Sequence, residues 1–249
     1  MTDDAPSDLP PTSPAAYAIA FWILRKLFDG WIDAQVLGRQ NLPPPGTAAI
    51  VAINHSSALD YVGGHAVGRP GYYAIKREAA EYPLTGRLVR ATGGIPIKRD
   101  QQDNEALRAM RAVLRAGHVL GIAPEGTRSR DGTLAPFDPG FAWLASRTGT
   151  VVVPLAIHGT HRLLPRGRLF PRRGRIWAKF GEPMAPPGVR PSREELAAFA
   201  DAVRERLLAL LAELETLSGV ESPAVEAERA EARDRGDAAR TPPEPPRSR

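Results

Sequence analysis

The stretch TAAIVAINHSSALD, residues 47–60, joins a short apolar run to a polar motif. The run TAAIVAI (47–53) follows the proline-rich turn NLPPPG (41–46) and ends at Asn54, so by length and flanks it reads as a buried strand. His55 and Asp60 come next with His-x4-Asp spacing. On one continuous helix that separation places two side chains about 140° apart, a poor arrangement for contact. His55 is therefore expected in the loop before a helix that begins near Ser57, with Asp60 in its first turns and reaching back. In that geometry the carboxylate fixes the imidazole tautomer, and the other ring nitrogen can take a proton from a substrate hydroxyl. A capping histidine beside an unrelated surface aspartate has the same spacing, so the pair alone does not decide the function.

Working outward from this segment, short apolar runs alternate with helical patterns. YYAIK (72–76) is a strand candidate, and residues 80–91 read as helical. GGIPIKR (93–99) is a short strand with Arg99 at its end. Asp103 can cap a helix that runs to Ala116, with Leu107, Met110 and Leu114 on one face and Gly117 as the stop. HVLGIAP (118–124) is a strand leading into a polar turn, a helix near 139–148 follows, and TVVVPLAI (150–157) is a buried strand. RIWAKFG (175–181) is the last strand expected. Ser192 and Glu195 form a capping box that opens a helix with Leu196, Phe199, Val203, Leu207, Leu210 and Leu214 on one face. The alternation predicts an α/β sheet with helices on its faces, whose ligand site lies at the carboxyl ends of strands. NHSSALD, Arg99 and PEGTRS each follow a strand candidate and can converge there.

The expected organisation is a disordered segment at 1–14, an interfacial helical element at 15–32, one domain at 33–217 and a disordered tail at 218–249. AYAIAFWILRKLFDGWI (16–32) is rich in aromatic residues that favour the headgroup boundary of a membrane. Burial of the same helix on the domain fits the pattern equally. Its apolar stretch from Ala15 to Leu24 is shorter than the roughly 20 residues that span a bilayer. The acidic, proline-rich opening is unlike a secretory leader. The tail is rich in Glu, Arg, Ala and Pro and nearly devoid of large apolar residues.

The chain has 249 residues, 43% of them hydrophobic, enough for one well-buried domain. It contains no cysteine, which excludes a disulfide scaffold, a thiolate metal site and a thiol nucleophile. No G-x-S-x-G elbow is present either, which favours direct attack by a substrate oxygen over a covalent enzyme intermediate. The net charge of +5 suits an anionic partner: nucleic acid, a phosphorylated metabolite or an acidic membrane surface.

PEGTRS (124–129) places a turn glycine, a guanidinium and two hydroxyls after a strand. Arg128 and the backbone amides around Gly126 suit a phosphate, although an ordinary surface turn has the same composition. Lys98 and Arg99 add positive charge at another strand end. The segment RLLPRGRLFPRRGR (162–175) holds six arginines among Leu163, Leu164, Leu169 and Phe170. Such interleaving suits an anionic membrane surface, a solvated hairpin or, less well, RNA.

Taken together and in this order, NHSSALD, GGIPIKR, PEGTRS and VVPLAI resemble the motifs of the glycerolipid acyltransferase family, the 1-acyl-sn-glycerol-3-phosphate acyltransferase type included. The resemblance runs from about Trp31 to Met184, through VLGRQNLPPPG and the closing KFGEPM. It implies a single α/β domain on a central mixed sheet flanked by helices, with an N-terminal membrane-docking helix. It implies that His55 is the general base and Asp60 its orienting carboxylate. Lys76 and Arg99 are implied at the acceptor phosphate, Glu125, Gly126, Thr127 and Arg128 in the acceptor-binding turn, and Pro154 in shaping the pocket. Lys98 stands where the family often has aspartate, and Ala123 where phenylalanine is common before PEG. These departures bear on acceptor and acyl preference.

The reaction so implied is transfer of a fatty acyl group from acyl-CoA or acyl-carrier protein to the sn-2 hydroxyl of 1-acyl-sn-glycerol-3-phosphate, in phospholipid biosynthesis. It needs no metal and no bound cofactor. The expected partners are a lysophospholipid, an acyl thioester and an anionic membrane surface, without nucleic acid. The expected location is the cytoplasmic face of a membrane, as a peripheral protein. Acylation of another lysolipid, thioester hydrolysis with His55 activating water, and non-catalytic binding of anionic lipid are the competing readings.

Overall fold

The computed structural model describes residues 31–57, 59, 60, 67, 71–81, 83–98, 103–129, 133–165, 167, 168 and 170–220, with single positions at 15, 18, 19, 22 and 26. Seven strands form one mixed sheet in the order β1-β7-β6-β2-β5-β3-β4. They are β1 (Ile32–Leu37), β2 (Ala49–Ile53), β3 (Gly71–Lys76), β4 (Gly94–Ile97), β5 (Val119–Ile122), β6 (Val151–His158) and β7 (Gly174–Phe180). Neighbouring strands are parallel except β6 and β7, which are antiparallel. The carboxyl ends of β2, β3, β4, β5 and β6 therefore lie along one edge, where the polar motifs emerge.

The helices are α1 (Arg77–Glu81), α2 (Pro83–Ala91), α3 (Asn104–Arg115), α4 (Gly140–Thr148), α5 (Thr160–Leu163) and α6 (Arg193–Ser218). Against one face of the sheet, Ile50, Leu120, Val152 and Ala156 pack with Val113 of α3, Leu144 of α4 and Val203, Leu207 and Leu210 of α6. The opposite face gathers Val51, Val153, Leu155, Ile157 and Phe180, with Leu42 and Val67 against them. β2 is buried on both faces, as its unbroken apolar run requires.

Local chemistry explains the helix ends. The Asp103 side chain accepts the Ala106 N–H and caps α3. Both bonds of the Ser192–Glu195 capping box open α6, which ends at Gly219 in the left-handed region. The helical pattern expected at 80–91 is two helices, because Pro83 lacks an N–H and opens a new helix at its first position.

The structure adds elements the sequence reading left out, among them a 3-10 turn at Arg39–Asn41. β1 pairs in parallel with β7, Ile32 opposite Gly174, and only Ile32 in it is fully buried. Gly38 ends it with a φ of 72°, where a Cβ would collide with the Phe180 carbonyl. Another is α5, four residues long. Most of the interfacial helix expected at 15–32, the segments 1–14 and 221–249, and residues 61–66 of the helix expected after Ser57 lie outside the described residues. Among the described residues no helix is long and apolar enough to cross a membrane.

Candidate active site

β2 delivers Asn54 and His55 at the carboxyl edge of the sheet. The Asn54 side chain bridges to β6: its amide donates to the Ile157 carbonyl at 2.9 Å, and its oxygen accepts the Ile157 N–H at 2.8 Å. This clamp continues the β2–β6 ladder one step past Ile53 and sets the exit of His55 from the sheet.

His55 and Asp60 meet. His55 Nδ1 lies 3.2 Å from Asp60 Oδ2, with Asp60 fully buried and His55 8% exposed. The intervening chain turns back in a bend and a short 3-10 turn, closed by the Asp60 N–H bonding to the Ser57 carbonyl. The same carboxylate oxygen accepts the backbone N–H groups of Ser56 and Ser57, each at 2.6 Å. A carboxylate that accepts these donors is an acceptor toward the ring as well. The ring proton therefore sits on Nδ1, leaving Nε2 as the basic nitrogen.

Glu125 belongs to the turn after β5, level with His55 because Ala52 and Ile122 are paired one ladder apart. Its Oε1 accepts the His55 N–H at 2.7 Å and its Oε2 accepts the Ala135 N–H at 3.1 Å. The His55 carbonyl in turn accepts the Ser129 N–H at 2.7 Å, so both backbone polar groups of the histidine are tied to the PEGTRS turn. Burial pushes the Glu125 carboxyl above its ordinary value. The two N–H donors and attraction to His55 counter that rise, and repulsion from Asp60 adds to it.

The remaining site candidates are more dispersed. Gly126 turns with a φ of 70°, its N–H bonded to the Ala123 carbonyl. Thr127 and Arg128 are exposed just beyond it. Lys76, at the carboxyl end of β3, is exposed and paired with Glu78 at 3.0 Å. Lys98 is exposed at the end of β4, and Arg99 lies outside the described residues. Pro154 is buried within β6 opposite Ala52, its carbonyl accepting the Gly181 N–H at 2.8 Å. That position is inside the sheet, below the edge that carries His55.

Sequence reading missed the Asn54 clamp and the use of both Glu125 oxygens by backbone donors. The signal for the first was the asparagine at the last step of the strand, a residue type that can replace a ladder rung with its amide. The second leaves no trace in the sequence, because backbone donors are common to every residue.

Residues 33–158 match the model of the acyltransferase family. The chain belongs to this family. A chloroplastic 1-acyl-sn-glycerol-3-phosphate acyltransferase of Arabidopsis thaliana is 33% identical over 132 residues, 52% of this chain and 37% of the relative. A 1-acyl-sn-glycerol-3-phosphate acyltransferase of Bacillus subtilis (strain 168) is 25% identical over 74% of this chain and 90% of its own length. The family member spans about two fifths of the length of the chloroplastic relatives it matches, 37% and 39% of those from Arabidopsis thaliana and Brassica napus. Among solved structures, the 1-acyl-sn-glycerophosphate acyltransferase PlsC of Thermotoga maritima superposes with a TM-score of 0.65 at 28% identity, covering 83% of this chain and 81% of that one.

Proposed function

We propose that this acyltransferase-family protein transfers a fatty acyl group from acyl-CoA or acyl-carrier protein to the sn-2 hydroxyl of 1-acyl-sn-glycerol-3-phosphate, giving phosphatidic acid. The observation that carries the proposal is His55 held at Nδ1 by the buried Asp60, at the sheet edge where ligands of such folds bind. The acceptor class follows the names of the relatives and the basic residues along that edge.

In this mechanism His55 Nε2 takes the proton of the acceptor hydroxyl as its oxygen attacks the thioester carbonyl. Asp60 stabilises the imidazolium that forms. The tetrahedral intermediate collapses with cleavage of the C–S bond, and the imidazolium returns the proton to the departing thiolate. One C–O bond forms and one C–S bond breaks. The thioester is already reactive, so positioning and general-base help are sufficient, and no metal or bound cofactor takes part. Arg128 binds the acceptor phosphate, Lys76 adds charge along the same edge, and Arg99 is assigned to the phosphate by its motif alone. Gly126 and Thr127 shape the turn that presents Arg128. Glu125 holds the His55 backbone, and Pro154 supports the sheet beneath the site.

The acceptor is a bilayer lipid, so the protein docks peripherally on an anionic membrane face. Phe170, 80% exposed between exposed Arg168 and Arg172, supports this docking. So does Trp31, whose ring carries Arg173 at 4.5 Å and whose Nε1–H reaches the Pro171 carbonyl. Incubation of the purified protein with acyl-CoA, acyl-carrier protein and a panel of lysolipids, read by mass spectrometry, tests the proposal. Phosphatidic acid is the expected product. Free fatty acid without phospholipid would mark a hydrolase instead.

A further inference from the structure

We infer that Thr160 is a positioning residue for the His55–Asp60 pair, an inference that rests on the acyl-transfer reading of that pair. β6 ends at His158, Gly159 turns the chain with a φ of 89°, and Thr160 opens α5 fully buried. Its hydroxyl donates to Asp60 Oδ1, while Oδ2 takes the His55 ring and the N–H groups of Ser56 and Ser57. Both oxygens of the carboxylate are thereby committed from opposite sides. The group cannot turn about its Cβ–Cγ bond without breaking a buried bond, so Oδ2 stays aimed at Nδ1.

A second tie comes from the far end of the same helix. The Leu164 carbonyl, at the C-cap of α5, accepts the Ser57 hydroxyl at 2.9 Å. The Ser56 hydroxyl lies 3.4 Å from Thr160 Oγ1, and since the threonine hydrogen is spent on Asp60, Ser56 is the donor there. α5 thus brackets the catalytic loop through its first residue and its cap. The β2 loop and the β6 exit are far apart in sequence, so the histidine's orientation depends on a segment outside its own motif.

The test compares Thr160→Val, which keeps the side-chain shape, with Thr160→Ser, which keeps the hydroxyl. For Thr160→Val, kcat falls roughly 10- to 100-fold, and KM for either substrate changes less than about threefold. Thr160→Ser stays within about threefold of the parent on both. The 15N spectrum of the His55 imidazole supplies a readout independent of turnover: the parent and Thr160→Ser hold the Nδ1–H tautomer, and Thr160→Val populates the other. A tautomer shift in a protein that transfers no acyl group would sustain the positioning role and reject the acyl-transfer reading. Unchanged kcat and an unchanged spectrum in Thr160→Val, whatever its melting temperature, overturn the inference, as does a Thr160→Ser enzyme impaired like Thr160→Val. If Thr160→Val does not fold, Thr160→Ser decides, and loss of its tautomer or its rate counts against the role.

Discussion

The carboxylate of Glu125 accepts the backbone N–H of His55 at 2.7 Å, joining the loops that follow the paired strands β5 and β2. The glutamate therefore grips the main chain of the histidine, while Asp60 grips its ring. Burial holds the Glu125 carboxyl above its ordinary value of 4.5. Between that value and its raised folded one, the folded protein binds the proton more readily than the unfolded chain. Its contribution to stability consequently declines as pH rises through this window.

Glu125→Gln removes that titration and loses one of the two N–H acceptors, because the amide nitrogen is a donor. Scanning calorimetry from about pH 4 to pH 7 should show the parent losing melting temperature relative to the variant as pH rises. A constant difference across the range would remove the half-buried carboxyl from the account. Turnover at neutral pH should fall about tenfold or more, since the histidine backbone is less firmly placed.

Asn54→Ala should be costly to the fold itself. It leaves the Ile157 N–H and carbonyl, both inside the sheet, without their side-chain partners. Each unsatisfied buried group costs about 1–3 kcal/mol, so urea denaturation should register a loss of that order or its double. A loss below about 0.5 kcal/mol would mean the clamp is replaceable.

Much of this arrangement was legible in the sequence, and the exceptions have physical causes. β2 and β6 are buried and announce themselves as apolar runs, and the capping residues Asp103 and Ser192 mark their helices locally. β1 has no such signature. Only Ile32 of IDAQVL is buried, and its pairing with β7 comes from tertiary structure. The His55–Asp60 contact was readable because the loop between them is short, and Gly126 because a turn needs it. The resemblance implied Glu125 in the acceptor-binding turn. The structure shows both of its oxygens engaged by backbone donors, an arrangement set by the packing of three loops. Pro154, implied by the resemblance in shaping the pocket, lies within β6 opposite Ala52.

Arg128 is exposed beyond the Gly126 turn, and the proposed function assigns it to the acceptor phosphate. Arg128→Ala should raise the acceptor KM about 10-fold or more while leaving the donor KM nearly unchanged, because a charge-assisted contact to phosphate is lost. Lysine at this position should restore binding only in part, since it lacks the planar fork. Steady-state kinetics with each substrate varied in turn decide this, and equal effects on both would reassign the arginine.

Membrane docking predicts a separation between two kinds of variant. Arg168→Gln with Arg172→Gln should weaken flotation with anionic vesicles only, by roughly 1 kcal/mol per basic residue, and high salt should mimic it. Phe170→Ser should weaken binding to neutral and anionic vesicles alike, because its contribution is apolar. Unimpaired flotation of both would make the segment a solvated loop.

Acyl transfer by His55 is tested most directly by following acyl-CoA and 1-acyl-sn-glycerol-3-phosphate to phosphatidic acid with the parent protein and His55→Ala side by side. The account predicts product from the parent and a loss of about 10²–10⁴-fold in the variant, with the circular dichroism spectrum unchanged. Near-parental turnover by folded His55→Ala would contradict it.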